Sequence, residues 1–354
     1  MSDSRPFGTC PVPIPADNQR ITLAHGEGAR MTRRLIERTI LPRLGPAAAP
    51  HELNDAAHTA LDADRLAFTT DSYVVSPLFF PGGDIGRLAV FGTVNDLAVS
   101  GAEPRWLSLS LIIEEDLPLV ILELVLESIA LAAQEAGVQI TTGDTKVVPR
   151  GAADQLFVNT SGIGRGLEPP VPGPTSIQTG DALIITGPIG RHGLAILAAR
   201  DELDLQPPPE SDCANLWPLV SKLHEAGLLQ HVHAMRDATR GGLAAVLHEW
   251  AAACNLTLTI DESRIPITPN VRGASELLGL DPLYIANEGV MLLAVEPEQT
   301  TPLLTALGSQ PTGQQASTIG TAEQRQSAPV IVNRTTGTRR PLDEASGTLL
   351  PRIC

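Results

Sequence analysis

The sequence predicts an α/β (α+β) fold in two domains, and three observations support this prediction. Helically spaced apolar residues alternate along the chain with short β-branched apolar runs, which is typical of helices packed on sheets. A stretch rich in Pro and Gly, residues 166–180, has neither period and divides the pattern in two. Hydrophobic residues make up 43% of the chain but aromatic residues only 3%, so we expect aliphatic cores in layered domains.

The first predicted domain spans residues 21–165 and follows an N-terminal extension, residues 1–20, to which we assign no role. Its helical periods cover residues 29–44, 85–102 and 117–137. Its strand-like runs cover residues 65–80, 105–115, 138–148 and 156–164. We expect the first of these strands to be interrupted by its polar residues Thr70, Asp71 and Ser72.

The second predicted domain, residues 181–333, resumes the alternation after the linker. Strands are expected at 182–187, 256–260, 290–296 and 329–333, and helices at 192–200, 215–227, 239–255, 270–279 and 298–308. Residues 334–354 have neither period, which predicts a flexible tail. That tail ends in Cys354, which carries a thiol and the free α-carboxylate on one residue.

Composition and charge limit the partners and the compartment. A formal charge of −15 argues against nucleic acid and against an anionic membrane as partners. No apolar run approaches the ~18 residues of a spanning helix, and the N-terminus lacks the apolar centre of a signal peptide, so we expect a cytoplasmic protein. Four scattered cysteines without a CxxC spacing suggest neither a zinc site nor a disulfide framework.

Three carboxylates at the ends of predicted elements, Asp71, Asp96 and Asp144, form the first candidate site. Asp96 follows Asn95 on an apolar helix, and Asp144 precedes Thr145 and Lys146 after a strand. Mg²⁺ that also holds phosphate oxygens takes a few hard oxygen ligands of this kind. The three carboxylates together predict a magnesium–nucleotide site, although each one alone also fits an ordinary turn or a paired helix residue.

A second candidate site lies at the start of a predicted helix, in the segment MRDATRGGLAAVLHE. The free backbone N–H groups and the dipole of this helix favour an anion. The segment supplies Arg236, Asp237, Thr239, Arg240, Gly241 and Gly242 as candidate nucleotide-binding residues. An ordinary helix cap, with the glycines allowing close packing, remains the alternative.

A third candidate is Glu288, which lies between a strand-like segment and a buried strand. Burial there would raise the pKa of its carboxyl into the range of a proton-transfer group. A loop glutamate without a catalytic role explains the same pattern equally well.

Seven motifs in order along the chain resemble the HypE family of carbamoyl dehydratases, which help to mature nickel–iron hydrogenases. They are AHGEG, TTDSYVVSPLFFPGGDIG, GTVNDLAVSGAEPR, TGDTKVVPRGAADQLFVNTSG, RDATRGGL, SELLGLDPLYIANEG and the terminal LPRIC. The internal motifs are also similar to aminoimidazole ribonucleotide synthetase and selenophosphate synthetase, whereas the terminal motif is specific to HypE. One departure is Gly28-Ala29, where the family usually has two glycines.

The resemblance implies a two-domain aminoimidazole ribonucleotide synthetase-like fold. Its N-terminal domain would pair strands across a homodimer, and its C-terminal domain would close over ATP with Mg²⁺. The carbamoyltransferase HypF would load a carbamoyl group on the sulfur of Cys354. ATP-dependent dehydration would then convert this thiocarboxamide to a thiocyanate, and the cyanide would pass to iron on the HypC–HypD scaffold complex.

The resemblance also implies roles for the candidate residues. Asp71, Asp96 and Asp144 would bind magnesium with the ATP phosphates, and the helix entry at 239–242 would help to hold them. Glu288 would accept a proton from the thiocarboxamide, and Lys146 would orient it or stabilise developing charge. Two alternatives remain open: a non-catalytic metal or cyanide carrier, and a synthetase of the same superfamily acting on a small molecule, for which Cys354 would be dispensable.

Overall fold

The computed structural model describes residues 20–22, 35–47, 65–201, 203, 205–344 and 353–354. The predicted N-terminal extension lies outside the described residues except for Arg20, which forms a β-bridge with Pro118. The motif AHGEG, residues 24–28, and the departure at Gly28-Ala29 also lie outside them.

One mixed sheet and the helices on one of its faces form the N-terminal domain. Its strands are β1 (Leu66–Tyr73), β2 (Phe79–Phe80), β3 (Gly83–Asp84), β4 (Ala102–Glu114), β5 (Gln139–Val148) and β6 (Leu156–Gly166). Its helices are α1 (Leu41–Leu44), which follows a π-helical turn at Ile36–Ile40, α2 (Ile85–Val99) and α3 (Leu119–Ala136). The main sheet has the order β1-β6-β4-β5, with β4 and β5 parallel and the other pairs antiparallel.

Local sequence explains where the two long helices of this domain begin and end. The side chain of Asp84 caps α2 by accepting hydrogen bonds from the backbone N–H groups of Gly86 and Arg87. Gly137 ends α3 in the left-handed conformation, with φ of 69°. The apolar residues of both helices pack on the sheet in one aliphatic core.

The C-terminal domain is a seven-stranded sheet with helices on both faces. Its strands are β7 (Ala182–Ile185), β8 (Val232–Asp237), β9 (Thr257–Asp261), β10 (Met291–Val295), β11 (Ser317–Glu323), β12 (Val330–Asn333) and β13 (Arg339–Pro341). Its helices are α4 (Arg191–Arg200), α5 (Trp217–Glu225), α6 (Gly242–Cys254), α7 (Pro269–Leu278) and α8 (Thr300–Gly308). The strand order is β13-β12-β9-β11-β7-β10-β8, and only β12 and β9 pair in parallel.

Strand β7 shows how this sheet divides two cores. Leu183 and Ile185 belong to the core that contains α6, whereas Ala182 and Ile184 belong to the core that contains α5 and α8. Successive side chains of a strand point to opposite faces, so a short continuous apolar run serves both layers. The α/β (α+β) prediction is therefore confirmed.

Helix α2 connects the two domains and carries part of the candidate site. Its last residues, Ala98 and Val99, pack into the C-terminal core beside α5 and α8. Within the part of the chain that the structure describes, no helix is both long and apolar enough to cross a bilayer.

The structure differs from the predicted elements at several points. β1 is not interrupted at Thr70–Ser72, because alternate residues of this strand face outward and polar side chains fit there. The sequence did not predict β8, β11 or β13. The tail predicted from residue 334 starts too early, because β13 pairs with β12 and Leu342 is buried.

Candidate active site

The C-terminal residues Ile353 and Cys354 lie between the two domains. We call their binding site, which includes Val74 and His192, the seat. The backbone N–H of Val74, just after β1, donates to the Cys354 oxygen over 3.1 Å. Nε2 of His192, on α4, lies 2.6 Å from the Ile353 carbonyl oxygen. The Ile353 side chain is buried in the N-terminal apolar core. The last two residues are therefore held by both domains, and Cys354 is partly buried between them.

The thiol of Cys354 lies among charged groups from both domains. Burial, together with the charges of Glu288 and Asp71, raises its pKa to about 12, although the charge of Arg240 and its hydrogen bond to the thiol oppose them. The thiol in this seat is thus protonated at neutral pH. Cys354 and Glu288, two candidate residues that the sequence analysis selected separately, therefore lie close to each other.

Glu288 is buried in the loop before β10, with 4% of its surface exposed. Burial is the main cause that raises the pKa of its carboxyl well above the ordinary value, and Asp237, Asp212, Asp71 and Asp96 add to it. A carboxyl with these neighbours holds a proton tightly. The same neighbours make it a strong proton acceptor once it is ionised.

Three further carboxylates, Asp71, Asp96 and Asp237, complete an acidic group beside Glu288. Burial, with the charge of Asp96 second, raises the pKa of Asp237 to about 7. Burial also raises the pKa of Asp96, whose carboxylate accepts a 2.9 Å hydrogen bond from Thr69. Asp237 ends β8 and takes the place beside Asp71 and Asp96 that the sequence analysis gave to Asp144.

Two arginines from the predicted helix entry oppose this acidic group. Arg240 lies 3.9 Å from Asp71, and Arg236 contacts Asp237 at 3.8 Å and Glu249 at 3.5 Å. Both guanidinium groups are at least half exposed, so these pairs contribute little to stability. They remain able to bind an anion that enters from solvent.

The helix entry itself is shaped by close backbone packing. Gly241 and Gly242 both have positive φ, and a Cβ on Gly242 would lie 2.6 Å from the carbonyl oxygen of Ile285. The N–H of Gly242 donates to the carbonyl of Thr239. The two glycines are therefore required by the backbone, and the start of α6 lies directly after the residues that contact Asp71 and Asp237.

Asn95, which the sequence analysis predicts as a nucleotide-binding residue, forms its hydrogen bonds within the protein. It is buried, and its amide donates to the carbonyls of Ala214 and Glu288 over 3.0 and 3.3 Å. Its oxygen accepts from the N–H of Leu216. Asn95 thus fixes the backbone of Glu288 relative to α2 and contributes to the site by positioning.

Asp144 and Lys146 lie away from the acidic group, so one chain alone does not bring them together with Asp71 as the sequence analysis expected. The strands β6 and β4 separate Asp71 on β1 from Gly143, the neighbour of Asp144, on β5. The register across the sheet runs from Asp71 through Thr160 and Leu109 to Gly143. Three strand spacings correspond to about 14 Å. Asp144 and Lys146 form an exposed 3.4 Å ion pair, and the N–H of Thr145 donates to Asp144.

A single ion therefore cannot be held by Asp71, Asp96 and Asp144 of one chain. Across the described ranges, no three His, Cys, Asp or Glu side chains come close enough together to hold a metal ion. Asp71 lies close enough to Asp96 for its charge to raise the pKa of the Asp96 carboxyl, and such crowding favours a bound cation. Mg²⁺ bound through one or two carboxylates and phosphate oxygens fits this set of donors.

Three residues of the seat were not found by sequence reasoning: His192, Ser211 and Asp212. The Asp212 carboxylate accepts from the N–H groups of Glu288 and Gly289 over 3.1 and 3.0 Å. A Cβ on Gly289 would overlap the carbonyl oxygen of Asp212. The only sequence signal was a Ser-Asp-Cys run after three prolines, which reads as an ordinary loop.

Comparison with known proteins places both domains in one superfamily. Residues 53–166 match the model of the AIR synthase related protein, N-terminal domain, and residues 178–333 match that of its C-terminal domain. The carbamoyl dehydratase HypE of Escherichia coli (strain K12) is 46% identical over 343 residues, which cover 94% of this chain and 99% of that protein.

Two solved structures extend this similarity. A crystal structure of the hydrogenase maturation protein HypE in complex with ATP matches with a TM-score of 0.88 and 43% identity, covering 94% of this chain and 99% of that one. A HypE–HypF complex contains a chain with a TM-score of 0.76 and 42% identity, covering 79% of this chain and 90% of that one.

Proposed function

The chain belongs to the HypE family of carbamoyl dehydratases, and we propose that it uses ATP to dehydrate a carbamoyl group carried on the sulfur of Cys354. The product is a thiocyanate that supplies the cyanide ligand of a nickel–iron hydrogenase. The observation that carries the proposal is the Cys354 thiol seated beside the buried carboxyl of Glu288. The resemblance found in the sequence motifs is confirmed by the comparisons.

The reaction needs a better leaving group than an amide oxygen. Transfer of the terminal phosphoryl group of ATP to the thiocarboxamide oxygen forms an O–P bond and releases ADP. Loss of both N–H protons and cleavage of the C–O bond then release phosphate and leave S–C≡N. The oxygen and two hydrogens of one water leave the thiocarboxamide, so the atoms balance without another reactant.

Glu288 would accept a proton from the thiocarboxamide nitrogen. In the protein without nucleotide, burial and the nearby carboxylates raise its pKa and favour the protonated carboxyl. Cationic charge near Asp71 and Asp96 lowers the pKa of the whole acidic group, which frees Glu288 to act as a base. The base would thus be active only when the nucleotide site is filled.

ATP and Mg²⁺ would be held where the domains meet. Asp71 and Asp96 would bind Mg²⁺, and Arg236, Arg240 and the start of α6 would face the phosphates. Bound Mg²⁺ supplies positive charge that offsets the repulsion between the phosphates and these carboxylates. Asp237, with a pKa of about 7, lies beside these two carboxylates and would ionise more readily next to a bound cation.

A second copy of the chain would complete this site. β1 runs parallel to β5 at the opposite edge of the sheet, and β1 exposes Leu66 and Phe68. A two-fold axis along the strands would lay β5 of one copy beside β1 of the other. Asp144, Thr145 and Lys146 of the partner subunit would then approach Asp71, which neither edge achieves within one chain.

Loading of Cys354 would occur outside the seat. A thiol with a pKa of about 12 is a poor nucleophile at neutral pH, whereas a solvated thiol ionises far more readily. The tail would therefore leave the seat to receive carbamoyl from HypF in the cytoplasm, and return for dehydration. Delivery of cyanide to an iron-bearing HypC–HypD complex would require a second departure.

Intact-mass measurement tests the proposal. The protein is mixed with its carbamoyltransferase, carbamoyl phosphate and Mg-ATP, beside the variants Cys354→Ala and Cys254→Ala. Wild type and Cys254→Ala should gain a carbamoyl group and then lose the mass of one water, whereas Cys354→Ala should stay unmodified. Modification of Cys354→Ala, or ATP turnover on a small molecule with Cys354 untouched, would contradict the proposal.

A further inference from the structure

The seat of the tail contains a buried histidine whose bonding pattern assigns it a definite task. We propose that His192 is a positioning residue for the dehydration: it holds the Ile353 carbonyl and so fixes the Cys354 sulfur beside Glu288. This inference rests on the proposed function for its catalytic meaning. The docking contact itself stands on the geometry alone.

The protonation state of His192 follows from its partners. A carbonyl oxygen only accepts hydrogen bonds, so Nε2 of His192 must carry the proton that bonds Ile353 over 2.6 Å. Nδ1 then accepts from the Ser211 hydroxyl over 2.8 Å, and the Ser211 oxygen accepts from the N–H of Cys213 over 3.0 Å. Burial lowers the pKa of His192 to about 4, so the neutral ring persists at neutral pH.

The loop that orients His192 also orients Glu288. Ser211 bonds the imidazole, and the next residue, Asp212, accepts both N–H groups at Glu288 and Gly289. The loop is anchored in turn, because the N–H of Ser211 donates to Pro81 and Arg191 donates to the carbonyl of Glu210. The segment 210–212 therefore fixes the positions of both His192, which binds the Ile353 carbonyl, and Glu288, the proposed base.

The neighbouring contacts keep the ring in place. Phe80 meets the imidazole edge-on with ring centroids 5.5 Å apart, and Ile353 packs in the apolar core beside it. A buried carbonyl that loses a short hydrogen bond is costly, so the Ile353–His192 bond should favour the docked tail over the undocked tail. The hydrogen bond from the N–H of Val74 to the Cys354 oxygen holds the second of the two C-terminal residues.

Alkylation of Cys354 measures docking without ATP, partner or turnover. The protein is alkylated with iodoacetamide at pH 8. Samples taken over time are cleaved before Asp343, and the mass of the released C-terminal peptide gives the alkylated fraction. His192→Phe keeps the ring contact with Phe80 but has no donor, and should raise the alkylation rate about tenfold. His192→Gln can still donate an N–H to Ile353 and should stay within about twofold of wild type.

Two further variants make the comparison decisive. His192→Asn can keep the bond to Ser211 but cannot reach Ile353, so it should alkylate as fast as His192→Phe and decides the matter where the phenylalanine variant fails to fold. His224→Phe, on α5, is the matched control and should behave as wild type. Equal alkylation rates for wild type, His192→Asn and His192→Phe would overturn the docking contact.

Single-turnover dehydration of the carbamoylated protein tests the positioning role. His192→Phe and His192→Asn should accept carbamoyl at least as fast as wild type and dehydrate it about tenfold more slowly. Faster alkylation with an unchanged dehydration rate would overturn the positioning role. Absence of carbamoylation in wild type would instead refute the proposed function, and the alkylation ratio would still decide whether His192 holds the tail.

Discussion

The two halves of the candidate site differ in how completely one chain forms them. The buried half, with Cys354, Glu288, Asp212 and His192, is closed by hydrogen bonds from both domains. The exposed half is divided between opposite edges of the N-terminal sheet, with Asp71 on β1 and Lys146 on β5. One chain therefore closes the buried half by itself but does not bring Asp71 and Lys146 together, and in the proposed dimer a second copy would do so.

The largest effect should come from the proposed base in the buried half. Glu288→Gln keeps the size and the loop but removes the proton acceptor, so dehydration of carbamoylated protein should slow by roughly 10²–10⁴-fold. Carbamoylation itself should continue, because in the proposed cycle Cys354 would be loaded away from Glu288. Quenched single-turnover samples, analysed by intact mass, separate the two steps.

The control for this prediction is Glu298→Gln, which removes the same charge from an exposed turn. It should dehydrate as wild type does. Dehydration at the wild-type rate in Glu288→Gln would remove Glu288 from the mechanism and leave the buried half without a base.

A smaller effect is expected from pH, through the thiol in the same half. Docking raises the pKa of the Cys354 thiol from 9.0 to about 12, so the docked tail favours the protonated form. Docking should be fully favourable below pH 9 and weaken as pH rises from 9 towards 12, by up to about tenfold per unit. The measurement is the alkylation rate of Cys354 relative to that of a free peptide of residues 343–354.

That ratio should be constant between pH 7 and 8.5 and should rise above pH 9. A ratio that stays flat to pH 10.5 would mean that the thiol ionises as easily in the seat as in water. The claim that loading requires an undocked tail would then lose its support.

The sequence predicted the residues of the buried half better than the arrangement of the exposed half, for physical reasons. Glu288 and Cys354 could be selected from residue type and local pattern, because a carboxylate before a buried strand and a terminal thiol are both unusual. Asp71 and Asp144 could not be separated, because their distance depends on strand order in the sheet. That order is set by long-range pairing that no local period reports.

The fold followed from the same kinds of signal. Long aliphatic helices such as α3 and buried strands such as β10 were predicted because tertiary packing agrees with their local periods. β8, with the sequence VHAMRD, mixes polar and apolar residues at a sheet edge and was missed, although it ends at Asp237. His192 was inconspicuous because its role depends on Ile353, which lies 161 positions away.

The central claim is that each site joins the buried half of one chain to β5 of the other, and mixed dimers test it most directly. Lys146→Ala and Glu288→Gln, each inactive alone, should regain about a quarter of wild-type dehydration when co-assembled, because half of the dimers are mixed and each of these holds one intact site. Cys354→Ala with Glu288→Gln, both in the buried half, should regain none. Recovery by the second pair, or none by the first, would contradict the account.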